Sequence, residues 1–173
     1  MGKGKGGGPS NPLVTDDQSY VKLLFSSPQI SAVLGKGGAT AASLRTDHEV
    51  MVKMSKDSTF PEIGKQVCMI AGTQQAVAAA LDTVFQYVFP DEHASGESTM
   101  LQAVVPAIVG SAMRAKAAEF QTSTGCDVAV GLREVAPEEQ VMDIYGNVQI
   151  MPSVFDYVFS NSELERIFLS SSF

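Results

Sequence analysis

Gly35-Lys36-Gly37-Gly38 is the stretch of this chain best suited to chemistry with a ligand. Glycines let backbone amides approach a phosphate unobstructed, neighbouring helix N-termini favour anions, and Lys36 adds a full positive charge. It is not a nucleotide-binding Walker loop, because no Ser or Thr follows the lysine and the upstream glycine spacing is missing. Nor is it a dinucleotide fingerprint: the sixth position is Thr40, and the loop runs from helix to helix rather than from strand to helix. Other reactive side chains are scattered. His48, between Asp47 and Glu49, has no nucleophile or second histidine nearby and reads as part of a polar turn, and His93 reads as a solvated linker residue. Cys68 and Cys126 lack metal-ligand spacing and read as small buried hydrophobes. No paired carboxylates, metal cluster or activated nucleophile can be assembled, so neither an enzyme, a cofactor nor a metal is expected.

The elements around the loop follow from pattern. Tyr20 to Phe25 reads as a strand ended by Ser26-Ser27-Pro28, Gln29 to Leu34 as a short helix, and Ala39 to Thr46 as a second helix of good formers. Val50 to Met54 is a second strand, Ser55 to Ile63 a polar loop, and Gln66 to Ala71 a third strand ended by Gly72. Thr73 is placed as an N-cap for a long helix over Gln74 to Phe89, in which Val77, Ala80, Leu81, Val84, Phe85 and Val88 line one face. Pro90 closes that helix.

Val33-Leu34-Gly35-Lys36-Gly37-Gly38, followed by helix, strand, strand and the Ile70-Ala71-Gly72-Thr73 corner, resembles a type I KH domain, closest to the Nova and poly(C)-binding group. The resemblance covers residues 20–89 and departs from the family at His48-Glu49, where Thr-Gly is usual. It implies that Gly35, Lys36, Gly37 and Gly38 hold the backbone of single-stranded RNA, or of single-stranded DNA. The bases would lie in a narrow apolar groove formed by Ile30, Ser31 and Leu34 of the first helix, Ala41 and Arg45 of the second, and Met51 and Lys53 of the second strand.

The chain also reads as duplicated. Val84-Phe-Gln-Tyr-Val-Phe89 returns as Val154-Phe-Asp-Tyr-Val-Phe159 with one change in six. Leu101 to Pro106, Gly125 to Val130 and Gln140 to Tyr145 then match the three strands, and Gly146-Asn147 matches the Gly72-Thr73 corner. No Gly-x-x-Gly loop exists at Gly110-Ser-Ala-Met113 or at Arg114-Ala-Lys-Ala117, and residues 107–123 can run as one largely continuous helix. Arg114 and Lys116 read as solvated helix charges.

The expected fold is therefore α+β: two type I KH modules of β-α-α-β-β-α order, each a three-stranded antiparallel sheet covered by three helices, the second divergent. The boundaries are a disordered Gly/Lys-rich tail over 1–19, the first module over 20–90, a linker over 91–97, the second module over 98–160 and a tail over 161–173. Apolar residues form 45% of the chain and charged ones 18%, enough to bury cores.

The net charge of -7 is unevenly spread. Residues 20–90 carry six cations against five anions, whereas from Asp91 onward four cations face twelve anions. That acidity repels phosphates from the second half, which is expected to pack on the first half, recruit a protein partner or self-associate. The sequence shows no membrane span or secretory signal, so a nuclear or cytoplasmic location is expected. The expected role is sequence-selective RNA binding in splicing, stability or translation. The alternative is a protein-interaction scaffold that kept the fold with little nucleic-acid affinity.

Overall fold

The computed structural model describes residues 18–55 and 64–155. The expected N-terminal and C-terminal tails and the Pro61 loop lie outside the described residues, except that Gln18 and Ser19 already belong to the first strand. The first half runs β1 (Gln18–Phe25), α1 (Ser27–Leu34), a 3-10 turn (Lys36–Gly38), α2 (Ala39–His48), β2 (Met51–Met54), β3 (Gln66–Thr73) and α3 (Gln74–Val88). The second runs β4 (Ser98–Pro106), α5 (Ala107–Ala115), α6 (Ala117–Thr124), β5 (Asp127–Ala136) and β6 (Glu139–Asn147), with a helical start at 152–155. Between the halves lies α4 (Pro90–Ser95).

Local chemistry explains the boundaries. Pro28 sits in the first turn of α1, where a missing N–H costs nothing, and Gln29 Oε1 accepts from the Ser26 N–H at 2.9 Å. Thr73 caps α3 as expected, its Oγ1 accepting from the Ala76 N–H at 3.1 Å. Gly72 does not end β3, because it still pairs with Ser19 in the ladder. Pro90 closes α3 and also opens α4, so the expected linker is a helix. His93 ties α4 down, its Nε2 lying 3.1 Å from Asp82 Oδ1 and its carbonyl accepting from Gln149 Nε2 at 2.6 Å.

The sheet corrects the expectation of two separate three-stranded sheets. One six-stranded antiparallel sheet runs β2-β3-β1-β4-β6-β5. β1 and β4 pair across the middle, with Lys22 opposite Val104, Leu23 opposite Ala103 and Leu24 opposite Gln102. The physical reason is that each three-stranded unit would otherwise expose an apolar edge, and joining the two edges satisfies the backbone groups of both. Strand alternation sends Val21, Leu23 and Phe25 of β1 and Leu101, Ala103 and Val105 of β4 into one apolar core that both halves share.

On the other face, Leu24, Val67 and Val104 cluster with Val135 and Val141. Lys22, only 7% exposed, donates to Glu139 Oε2 at 2.7 Å. Lys65 Nζ donates to Gln102 Oε1 at 2.7 Å, and Gln102 Nε2 donates to Asp143 Oδ1 at 3.0 Å. Both cysteines are buried. Burial pushes the Cys68 thiol up to about 12 and raises Cys126 as well, which keeps both as thiols.

Because the core and the sheet are continuous across β1 and β4, deleting residues 94–173 strips β1 of one of its two partners, β4, and bares that edge. The shortened chain is expected to self-associate or precipitate, as read by size-exclusion chromatography. A monomer with an unchanged circular dichroism spectrum and unfolding midpoint would show that the first half needs no such cover.

Candidate nucleic-acid interface

The loop between α1 and α2 is built from backbone conformations that side chains resist. Gly35 has φ 74° and ψ 174°, a region populated essentially by glycine alone, and Gly37 (φ 62°) and Gly38 (φ 80°) are left-handed. The three glycines differ in what surrounds them. A Cβ on Gly35 would lie 2.2 Å from Thr40 Oγ1 and 2.7 Å from the Thr40 backbone nitrogen, whereas a Cβ on Gly37 or Gly38 would meet nothing within 4 Å. Gly35 is therefore required by packing, and Gly37 and Gly38 leave the outer side of the turn open.

Two of the loop amides are used internally: Gly35 donates to the Ser31 carbonyl at 2.9 Å and Gly38 to the Gly35 carbonyl at 3.1 Å. Among the described residues the amides of Lys36 and Gly37 find no protein acceptor, and both residues are exposed. The arrangement can offer backbone donors and one ammonium group to a single anionic group arriving from solvent. Among the described residues, no cluster of His, Cys, Asp and Glu is set to hold a metal ion, and no helix is long and apolar enough to cross a membrane.

The remaining expected groove residues divide. Ser31 is exposed beside the loop, and Leu34 is half-buried against the core. Ile30 and Ala41 are 5% and 1% exposed, so they form the floor on which the loop rests. Arg45 Nη2 donates to the Val52 carbonyl at 2.8 Å. That carbonyl belongs to β2, which among the described residues is the end strand of the sheet, so the guanidinium lies at that end of the sheet.

Met51 sits elsewhere, packing with Tyr20, Met69 and Ala71 on the face away from the helices. Lys53 shares that side by strand alternation. The β2 residue that reaches the helix side at the surface is Met54, packed beside the core together with Leu34. The period-two pattern Val50, Val52, Met54 carried that signal in the sequence.

His48, read from sequence as part of a polar turn, closes α2 and lies 3.0 Å from Thr83 Oγ1 of α3. The next residue, Glu49, takes φ 56° and ψ 44° as the C-cap, the left-handed conformation that a glycine would adopt without steric cost. Gly72 packs directly on this corner, 3.2 Å from Val50 Cγ1 at its virtual Cβ.

A family model described as KH domain matches residues 20–86. The chain is similar to RNA-binding protein Pasilla of Drosophila melanogaster, 34% identical over 70 residues, which are 40% of this chain and 9% of that protein. RNA-binding protein Nova-2 of Homo sapiens is 26% identical over 106 residues, 61% of this chain and 22% of that protein. Heterogeneous nuclear rnp K-like protein 2 of Saccharomyces cerevisiae is 30% identical over 76 residues, 44% of this chain and 20% of that protein. The matched stretches thus span less than a quarter of any of these relatives.

Two stability outcomes follow from the loop and corner geometry. Gly35→Ala is expected to cost about 2–4 kcal/mol and Gly37→Ala about 1 kcal/mol, because only the first adds a clash to the backbone penalty. Glu49→Gly is expected to add about 0.5–1 kcal/mol by relieving the left-handed strain, partly offset by a looser unfolded chain. Urea unfolding with unchanged slope measures all three.

Proposed function

With residues 20–86 established as one KH domain, we propose that the first half binds single-stranded RNA through the loop Gly35–Gly38. The observation that carries this reading is the pair of acceptor-less amides at Lys36 and Gly37 on an exposed turn beside the Lys36 ammonium. The sugar-phosphate strand is gripped there, and its bases run past Ser31, Leu34 and Arg45 toward β2. The names of the relatives, two of which are RNA-binding proteins, support RNA as the ligand. Selectivity for particular bases comes from the groove, and the role is post-transcriptional, in splicing, stability or translation.

We further propose that the second half is a KH module without the gripping loop. It has the same strand-helix-helix-strand-strand order, and its corner glycine is placed like Gly72. A Cβ on Gly146 would lie 2.7 Å from Cys126 Sγ, just before β5, as one on Gly72 would meet Val50 just before β2. Its present task is to complete the sheet and core of the first half.

A short pyrimidine-rich RNA titrated into the full chain, followed by fluorescence anisotropy, tests the reading. Affinity is expected to fall with rising salt, and the double substitution Lys36→Asp/Gly37→Asp is expected to weaken it about tenfold or more without unfolding the protein. Absence of binding at high micromolar concentration would remove RNA binding and leave a scaffold role.

A further inference from the structure

The buried residues align the two halves in space. Val33 and Met113 are the buried residues closing the first helix of each half, and Leu44 and Phe120 are the buried residues anchoring the second. The step from Val33 to Leu44 is eleven residues and that from Met113 to Phe120 is seven. Leu44 stands six residues before Val50, and Phe120 six before Cys126, so the register beyond the helices is unchanged. The second half is thus shorter by four residues between its helices, the length of Gly35-Lys36-Gly37-Gly38.

The backbone closes over the deletion. The Lys116 N–H donates to the carbonyls of Ala112 and Met113 at 3.1 and 3.2 Å, and the Lys116 carbonyl accepts from Phe120 at 3.0 Å. Lys116 is therefore bonded through both its N–H and its carbonyl, and the donors that stand free at Lys36 and Gly37 have no counterpart at Lys116.

The same register places Gly110 where the first half has Ile30 and Arg114 where it has Leu34. The space that an isoleucine would fill is taken by Gln140 of β6, whose Oε1 lies 2.4 Å from the virtual Cβ of Gly110. Gln140 is a buried polar residue, and its Nε2 donates to the Leu132 carbonyl at 3.2 Å. Arg114 Nη1 donates to Gln140 Oε1 at 3.3 Å and to the Val130 carbonyl at 3.5 Å, and its Nη2 to Ser111 Oγ at 3.2 Å. The guanidinium expected at a solvated helix position is instead folded against β5 and β6.

We infer that the second half contains a closed copy of the first half's groove, plugged by its own Arg114 and Gln140, so that of the two described halves only the first grips a strand of nucleic acid. This rests on the RNA-binding reading of the first half and adds which of the two halves binds and the residues that decide it. Arg114 and Gln140 act as an internal occupant: their polar groups satisfy one another and the β5 carbonyls, so an entering base would have to break bonds already made.

The test uses the full chain. Hydrogen exchange followed by NMR, with no ligand, is expected to show the amides of Lys36 and Gly37 exchanging freely and that of Lys116 protected. Fast exchange at Lys116 would overturn the closed junction. In an RNA titration the native chain should take up one strand, with amide shifts confined to the first half, and Lys36→Asp/Gly37→Asp should remove that binding. RNA-induced shifts at Ser111, Arg114 or Lys116 that persist in this double variant would overturn the plug.

Inserting Gly-Lys-Gly-Gly between Ala115 and Lys116 together with Arg114→Leu, in the Lys36→Asp/Gly37→Asp background, should restore uptake of one strand. A grafted chain that folds, by circular dichroism, and stays silent would also overturn the inference. If the graft does not fold, the exchange and shift measurements still decide. A native chain that takes up no RNA at all sinks the RNA-binding reading instead, while the exchange pattern remains as evidence on the junction.

Discussion

Pairing of β1 with β4 is the contact on which the rest of the molecule depends. Three residue pairs join the two central strands, yet they determine where every apolar face goes. Joined in this way, both halves present their helix-side residues to one core and, among the described residues, leave free edges at β2 and β5, the two ends of the sheet. β2 is only four residues long and β5 is broken by register shifts between Val130 and Glu134, two devices that discourage further strands from adding.

That junction also governs the charges. The first half holds six cations, but two of them turn toward the second half: Lys22 to Glu139, and Lys65 through Gln102 to Asp143. Lys22 is almost fully buried, and a charge in that position is tolerable because a carboxylate and not an apolar group meets it. The acidity of the second half thus serves partly to neutralise the first half internally. Lys36 is left exposed on its loop, at the opposite end of the sheet from β5.

The recurring hexapeptide shows how sequence similarity and spatial equivalence can part. Val84 lies twelve residues after Gly72, but Val154 lies eight after Gly146. The identical residues therefore stand differently in their helices: Val84 is the eleventh residue of α3, and Val154 is the third residue of the helical start at 152–155, which follows turn residues 148–151. Val154 and Phe155 are as buried as Val84 and Phe85 without being their counterparts in position.

Much was legible from residue order alone, because it depends on neighbours in the chain. Strand alternation, the Thr73 cap and the three positive-φ glycines between α1 and α2 are local constraints, and each placed its element to within about two residues. The roles of individual groove residues were less legible: Met51 and Met54 differ only in which side of one strand they occupy, and their neighbours across space settle it. The fusion of two sheets into one, the burial of Lys22 and the closure of Arg114 onto Gln140 were beyond reach of the sequence. Each requires a strand or side chain more than twenty residues away to arrive at hydrogen-bonding distance, and no local propensity encodes that arrival. Residue types set what each segment can do, and the tertiary structure decided which backbone amides stay open.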